Sequence, residues 1–163
     1  MEKIQTIIYN DSSPAIKSLF GKKNDCVATP QDFYEELNRE FNFKFDPCPE
    51  EYVNSGLDIP WESVNYVNPP YSEVEKWVKK AINEMEFGRK SILLIPARTN
   101  NKYWRDLVFP NCSEIRFIYN GIKFGEYKRP LRVPLAIVIF DPITKSKNKI
   151  VKNETYTYIT VNH

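Results

Sequence analysis

The four residues Asn68-Pro69-Pro70-Tyr71 have the types and spacing needed for chemistry on a flat, amino-bearing group. The side-chain oxygen of Asn68 and the backbone carbonyl of Pro69 can each accept one N–H hydrogen bond, on a backbone that two prolines restrict. Two fixed acceptors stabilise positive charge that develops on an attacking nitrogen. Tyr71 supplies a ring on which a planar group can stack. The plainer interpretation is an ordinary Pro-Pro connector.

The flanking residues position this turn between a strand and a helix. Val64–Val67 is β-branched and aromatic, which predicts a short buried strand that the prolines must end. Ser72 and Glu75 form a capping box for a helix whose apolar positions follow the helical period as far as Gly88. Ligands of open α/β sheets bind outside the carboxyl ends of strands, where Asn68 is expected.

Charge is distributed unevenly along the chain, although the net charge is only +2. Residues 1–87 contain 9 Lys and Arg against 16 Asp and Glu, whereas residues 88–152 contain 14 against 4. The second segment predicts a basic surface for a polyanion, because Lys and Arg that neutralise phosphates release counterions. The alternative is a solvated charged surface without a partner.

Length and composition predict one domain over residues 1–163, with residues 1–24 as an N-terminal extension. No apolar run reaches the length of a membrane span and no secretory signal pattern is present, so no membrane contact and a cytoplasmic location are expected. Three widely spaced cysteines and a single histidine suit neither a disulfide framework nor a zinc site. No metal is therefore predicted.

An ordered series of short motifs surrounds the Asn-Pro-Pro-Tyr turn, from about residue 20 to residue 141. They are Thr29-Pro30, Phe45-Asp46-Pro47-Cys48-Pro49, Gly56-Leu57, Trp61, Leu94-Ile95-Pro96-Ala97-Arg98-Thr99, Trp104, Glu114-Ile115-Arg116-Phe117-Ile118, Lys123-Phe124-Gly125 and Ala136-Ile137-Val138-Ile139-Phe140. In type and order these motifs resemble the phage-type DNA N-6-adenine methyltransferase family.

The resemblance implies transfer of a methyl group from S-adenosylmethionine to the exocyclic amino group of adenine in double-stranded DNA, with the target base flipped out of the helix. If phage-encoded, the protein would act in the host cell cytoplasm. The implied catalytic residues are Asn68, Pro69, Pro70 and Tyr71. The implied cofactor-binding residues are Thr29, Pro30, Asp46, Pro47, Cys48 and Asn68. The basic second segment supplies the predicted DNA-binding residues Arg98, Thr99, Lys102, Lys123, Lys128, Arg129 and Arg132, the last four in a loop at residues 120–134.

Several of these residues have a structural alternative. Thr29 can cap a helix whose first residue is Pro30, Asp46 can be a strand-end turn residue, and Tyr71 can belong to the core. For Trp104 a core position is the prediction. The residue that would hold the cofactor ribose stays open among Glu50, Glu51 and Asp58.

The expected fold is α/β, a Rossmann-like methyltransferase three-layer sandwich with a truncated, mostly parallel sheet. Only 21 residues separate Asp46 from Asn68, fewer than the roughly thirty of a βαβ unit, so these two residues should end adjacent strands. Other predicted strands are 43–46, 91–95, 115–119, 135–140 and a final edge strand at 155–161. One predicted helix runs over 30–41 after a Thr29 cap, and another follows a Thr99 cap and stops before Pro110.

Rival functions remain open. The same four-residue turn also suits protein glutamine or RNA guanine, because both present a planar amide or amine. A third possibility is a non-catalytic nucleic-acid-binding or inhibitory relic, suggested by the short segment between Asp46 and Asn68. The downstream motifs favour DNA.

Overall fold

The computed structural model describes residues 28–49, 55–119, 121–122, 134–144, 150–152 and 157–161. Its helices are α1 (Gln31–Phe41), α2 (Val74–Glu86), a π-helix (Trp104–Val108) and the turn α3 (Phe109–Asn111). Its strands are β1 (Val64–Val67), β2 (Lys90–Pro96), β3 (Glu114–Ile118), β4 (Leu135–Phe140), β5 (Ile150–Lys152) and β6 (Thr157–Val161). They form one sheet in the order β1-β2-β4-β3-β6-β5.

Helices cover both faces of this sheet. On one face, Phe33 and Leu37 of α1 pack with the even-numbered residues Ile92 and Leu94 of β2. On the other face, α2 and the π-helix pack with the odd-numbered residues of β2, because side chains alternate across a strand. The described chain is therefore a three-layer α/β structure.

The prediction of a mostly parallel sheet is wrong. Of the five strand pairs described, β1 and β2 are parallel and the other four are antiparallel. The apolar run of β4 was misleading because such a run indicates burial on both faces, which a central antiparallel strand shares with a parallel one. The strand predicted at 155–161 is present as β6, but its predicted position at the edge is wrong, since β6 lies between β3 and β5.

The reversed direction of β4 determines where its loop begins and ends. The strands β1, β2 and β3 run in one direction and end at what we call the carboxyl edge of the sheet. Leu135, where β4 begins, pairs with Pro96 at the end of β2 and with Ile118 at the end of β3. The connection over residues 119–134 therefore leaves and re-enters the sheet at the carboxyl edge.

Some helix ends differ from the predictions. Gly88 stops α2 as expected, with a left-handed φ of 79° that glycine adopts without strain. The N-cap residue of α2 is Glu73, which makes no side-chain cap hydrogen bond and whose amide donates to the Pro70 carbonyl at 2.9 Å. The later helix does not stop before Pro110: the π-helix Trp104–Val108 is followed by the turn α3, which contains Pro110 near its start and ends at Asn111.

A buried arginine fastens α1 to the sheet. Arg116 of β3, only 4% exposed, donates two hydrogen bonds to Glu40 of α1, at 2.6 and 2.5 Å, and one to Glu114 at 2.6 Å. Charge-assisted bidentate pairs of this kind fix orientation as well as distance.

No helix in the described part of the chain combines the length and hydropathy needed to cross a bilayer.

Candidate active site

Asn68 directly follows β1 at the carboxyl edge. It is 8% exposed, and Pro69 and Pro70 behind it are buried, so the turn is packed rather than projecting into solvent. The parallel pairing of β1 with β2 runs up to Val67 and Leu93, which fixes the backbone immediately before Asn68. The prediction that Asn68 ends a strand is confirmed.

Thr29 and Tyr66 hold the Asn68 side chain. The Asn68 Nδ2 group donates to Thr29 Oγ1 at 3.0 Å, and Thr29 Oγ1 is 2.7 Å from the Tyr66 hydroxyl. Thr29 is not the N-cap residue of α1, because Pro30 occupies that position and makes no side-chain cap hydrogen bond. The Thr29 hydroxyl is used instead to tie the start of α1 to the Asn-Pro-Pro-Tyr turn, across 39 residues of sequence.

Asp46 lies beside this group. Phe45 forms a parallel bridge to Asn65, and its carbonyl accepts the Tyr66 amide at 3.0 Å, so Asp46 and Asn68 follow adjacent parallel segments as predicted. The predicted strand at 43–46 is reduced to that single bridge. Asp46 Oδ1 accepts the Cys48 amide at 2.9 Å. Burial raises the pKa of Asp46 to about 6, against the opposing effect of that hydrogen bond.

Gly56 brings a second segment against the Asp46 turn. A Cβ atom at this position would lie 2.0 Å from the Pro47 carbonyl oxygen, so glycine alone permits the approach. The Gly56 carbonyl accepts the indole N–H of buried Trp61 at 2.7 Å, and the Trp61 ring stacks with Trp77 of α2 at 6.2 Å. Gly56 thus packs closely against the turn at Pro47, and Trp61 anchors the same segment to α2.

The two aromatic candidates differ in position. Tyr71 is partly buried and contacts the cores on both faces of the sheet, and its hydroxyl is shielded from solvent. Trp104 is fully buried and donates from Nε1 to the Pro96 carbonyl at 3.1 Å. The prediction of a core position for Trp104 is confirmed.

The predicted DNA-binding residues divide into two groups. Arg98, Thr99 and Lys102 follow β2 at the carboxyl edge and are exposed. Lys123, Lys128, Arg129 and Arg132 lie outside the described residues, but the connection that contains them begins and ends at the same edge. Glu50 and Glu51 also lie outside the described residues, whereas Asp58 is exposed on the segment next to Gly56.

The family model for DNA N-6-adenine-methyltransferase (Dam) matches residues 18–156. The chain belongs to this family. A DNA N-6-adenine-methyltransferase of Haemophilus phage HP1 (strain HP1c1) is 27% identical over 137 residues, which cover 72% of this chain and 79% of the relative. The matched range contains Thr29, Asp46 and Asn68, and the family and the relative both indicate DNA adenine methylation.

Sequence reasoning missed the role of Tyr66. It was assigned only to a buried strand, yet it is 1% exposed and its hydroxyl bonds Thr29. A usable signal was present, because a tyrosine two residues before Asn68 lies on the same side of the strand and a buried tyrosine hydroxyl needs a partner.

The described residues contain no group of three or more His, Cys, Asp or Glu side chains arranged to hold a metal.

Proposed function

We propose that this protein, as one domain over residues 1–163 with a Rossmann-like methyltransferase fold, transfers a methyl group from S-adenosylmethionine to the exocyclic amino group of adenine in double-stranded DNA. The main support is the Asn68 amide, held by Thr29 beside the Asp46 turn at one edge of the sheet. A DNA substrate implies action in the cytoplasm, of a host cell if a phage carries the gene.

The residues at the Asp46 turn suit a cationic cofactor. S-adenosylmethionine supplies an electrophilic methyl group on a positively charged sulfur and also carries an ammonium group. Asp46 is a partly buried carboxyl whose ionisation is opposed by burial, so a cation beside it would be favoured and would lower its pKa. The other residues proposed to hold the cofactor are Thr29, Pro30, Pro47, Cys48 and Asn68.

Asn68 and Pro69 are proposed to act on the amino group of the target base. Its nitrogen is a poor nucleophile because its lone pair is delocalised into the ring. The Asn68 side-chain oxygen and the Pro69 carbonyl would each accept one N–H, which draws the nitrogen toward tetrahedral geometry and stabilises its developing positive charge. Because Nδ2 donates to Thr29, Oδ1 is the Asn68 atom proposed to accept from the base.

The base is proposed to leave the duplex and stack on Tyr71. Stacking offsets part of the unstacking cost of a few kcal/mol. Asn68 Oδ1 is shielded from solvent in this structure, so the entering base must displace the atoms that cover it, after which both acceptors act in a site of low dielectric. Arg98, Thr99 and Lys102, with Lys123, Lys128, Arg129 and Arg132, would bind the flanking phosphates.

Two assays on the unmodified protein test this function. Calorimetric titration with S-adenosylmethionine should show binding, and labelled methyl groups should enter adenine-containing duplexes but neither RNA nor a glutamine peptide. Absence of cofactor binding would support a non-catalytic relic instead. Cofactor binding followed by methylation of RNA or of peptide alone would reassign the substrate.

A further inference from the structure

Three side chains form a short hydrogen-bonded chain into the core. Asn68 Nδ2 donates to Thr29 Oγ1 at 3.0 Å, and Thr29 Oγ1 lies 2.7 Å from the Tyr66 hydroxyl. Tyr66 is 1% exposed and packs edge-on against Tyr34, with ring centroids 5.1 Å apart. The series of hydrogen bonds therefore begins at Asn68, at the end of β1, and finishes at the Tyr66 hydroxyl inside the core.

The Tyr66 hydroxyl is held in place and stays neutral. Its ring belongs to the core that α1 and β2 share, so it cannot move away from Thr29 without disturbing that core. Burial raises the pKa of Tyr66 well above its ordinary value, and the nearby Tyr71 and Asp46 add to the effect. Thr29 thus faces a neutral, fixed phenol rather than water.

The direction of the Thr29–Tyr66 hydrogen bond determines what Asn68 can do. Either hydroxyl can donate. When Thr29 donates its single proton to Tyr66, only its lone pairs remain for Asn68, and they accept an N–H but repel a carbonyl oxygen. A hydroxyl that donates also becomes a stronger acceptor, because hydrogen bonds in a chain polarise one another. This arrangement therefore favours the amide orientation that the structure has.

We propose that Tyr66 is a positioning residue for methyl transfer, acting through the Thr29 hydroxyl to hold the Asn68 amide with Oδ1, and not Nδ2, available to the base. An inverted amide would present a donor to the amino group, which is itself a donor. The inference rests on the proposed role of Asn68. It assigns Tyr66 a task distinct from packing and Thr29 a task distinct from binding the cofactor.

The first test compares kinetic constants of Tyr66→Phe with those of the unmodified protein. Without the phenol oxygen, the Thr29 proton is free to turn toward Asn68 and to stabilise the inverted amide. Loss of one hydrogen bond of about 1 kcal/mol corresponds to a fall in kcat of roughly five- to tenfold, with the affinity for S-adenosylmethionine unchanged within about twofold.

A double-mutant comparison separates positioning from packing. In an Asn68→Ala background, Tyr66→Phe should change the residual rate by less than about twofold. The proposed relay, which is the series of hydrogen bonds from Tyr66 through Thr29, acts only on Asn68. An equal loss in both backgrounds would mean that Tyr66 supports the fold alone and would overturn the proposal. Thr144→Val is the control. It removes a partly buried hydrogen bond to Asp141 at the end of the sheet opposite to the carboxyl edge, and it should leave kcat unchanged.

A measurement without turnover separates this inference from the proposed function. In nuclear magnetic resonance spectra of the free protein, the Nδ2 proton of Asn68 that contacts Thr29 should exchange slowly with water, and faster in Tyr66→Phe. Equal exchange in both proteins would overturn the relay even if methylation occurs. Slow exchange lost in Tyr66→Phe, in a protein that transfers no methyl group, would keep the relay as a structural feature and reject its role in catalysis.

Discussion

At the scale of single residues, Asp46 shows how a site position works against stability. A carboxyl whose ionisation burial opposes is costly in the folded protein alone, and it is useful when a cationic ligand is to be bound. Sequence reasoning could identify Asp46 as a strand-end residue in a recognisable motif. It could not supply the raised pKa, because that depends on which distant segments cover the carboxyl.

We predict that Asp46→Asn stabilises the protein at neutral pH. The pKa of Asp46 is about 6 when folded and near 3.8 when unfolded, so the folded chain binds more protons in that window and stability falls as pH rises through it. The stability gain of Asp46→Asn should be small near pH 4 and grow to as much as roughly 3 kcal/mol above pH 7, measured by urea unfolding.

The control is Asp141→Asn, for which the expected pH dependence has the opposite sign. Burial alone would raise the pKa of Asp141, but hydrogen bonds from Lys90 and Thr144 outweigh it and the pKa is lowered. Asp141 therefore stabilises the ionised fold, and its replacement should cost more at neutral pH than at acidic pH. A constant difference between Asp46→Asn and the unmodified protein from pH 4 to pH 8 would contradict the account of Asp46.

At the scale of elements, the periodicity of the sequence predicted where strands and helices lie, but not which segments they contact. The limits of β4 and the glycine stop of α2 were predictable from local residues. The hydroxyl of Thr29 looked like a helix cap because capping is a local interaction, whereas its actual partners lie 37 and 39 residues away. The direction of β4 was missed for the same reason, since an apolar run carries no information about direction.

We predict that Gly56→Ala disrupts the Asp46 turn. Its Cβ would meet the Pro47 carbonyl oxygen at 2.0 Å, so one of the two segments must move. We expect a loss of about 3 kcal/mol in the free energy of unfolding and at least a tenfold weaker affinity for S-adenosylmethionine by calorimetry. Unchanged affinity would place the cofactor away from this turn.

Gly88→Ala is the matched glycine control. Gly88 lies at the amino-terminal side of β2 with no atom within 4 Å of a built Cβ, but its φ is 79°. Only left-handed strain of about 1–2 kcal/mol is expected there, without an effect on cofactor affinity.

At the scale of the whole molecule, the uneven charge of the sequence can be compared with the topology of the sheet. The strands that flank residues 119–134 end and begin at the carboxyl edge, the edge at which Asn68 follows β1. Composition alone gave the asymmetry. The edge was not predictable, because it depends on β4 running antiparallel between β2 and β3.

We predict that Lys128→Ala weakens DNA binding to a similar extent for all sequences. Loss of one phosphate contact should lower the slope of log affinity against log salt concentration by about one unit. Lys44→Ala is the control, because Lys44 is exposed beside Val64 at the start of β1, away from the carboxyl edge, and should leave the slope unchanged. A changed base preference with a constant slope would make Lys128 a base-reading residue instead.

The central claim is that Asn68 acts on the amino group during methyl transfer, and a single-turnover measurement on Asn68→Ala tests it most directly. With S-adenosylmethionine and duplex DNA prebound, the rate of methyl transfer should fall by roughly 10²–10³-fold, as for loss of one preorganised acceptor, while both binding affinities stay within several-fold. Transfer by Asn68→Ala near the rate of the unmodified protein would contradict the proposed role of Asn68.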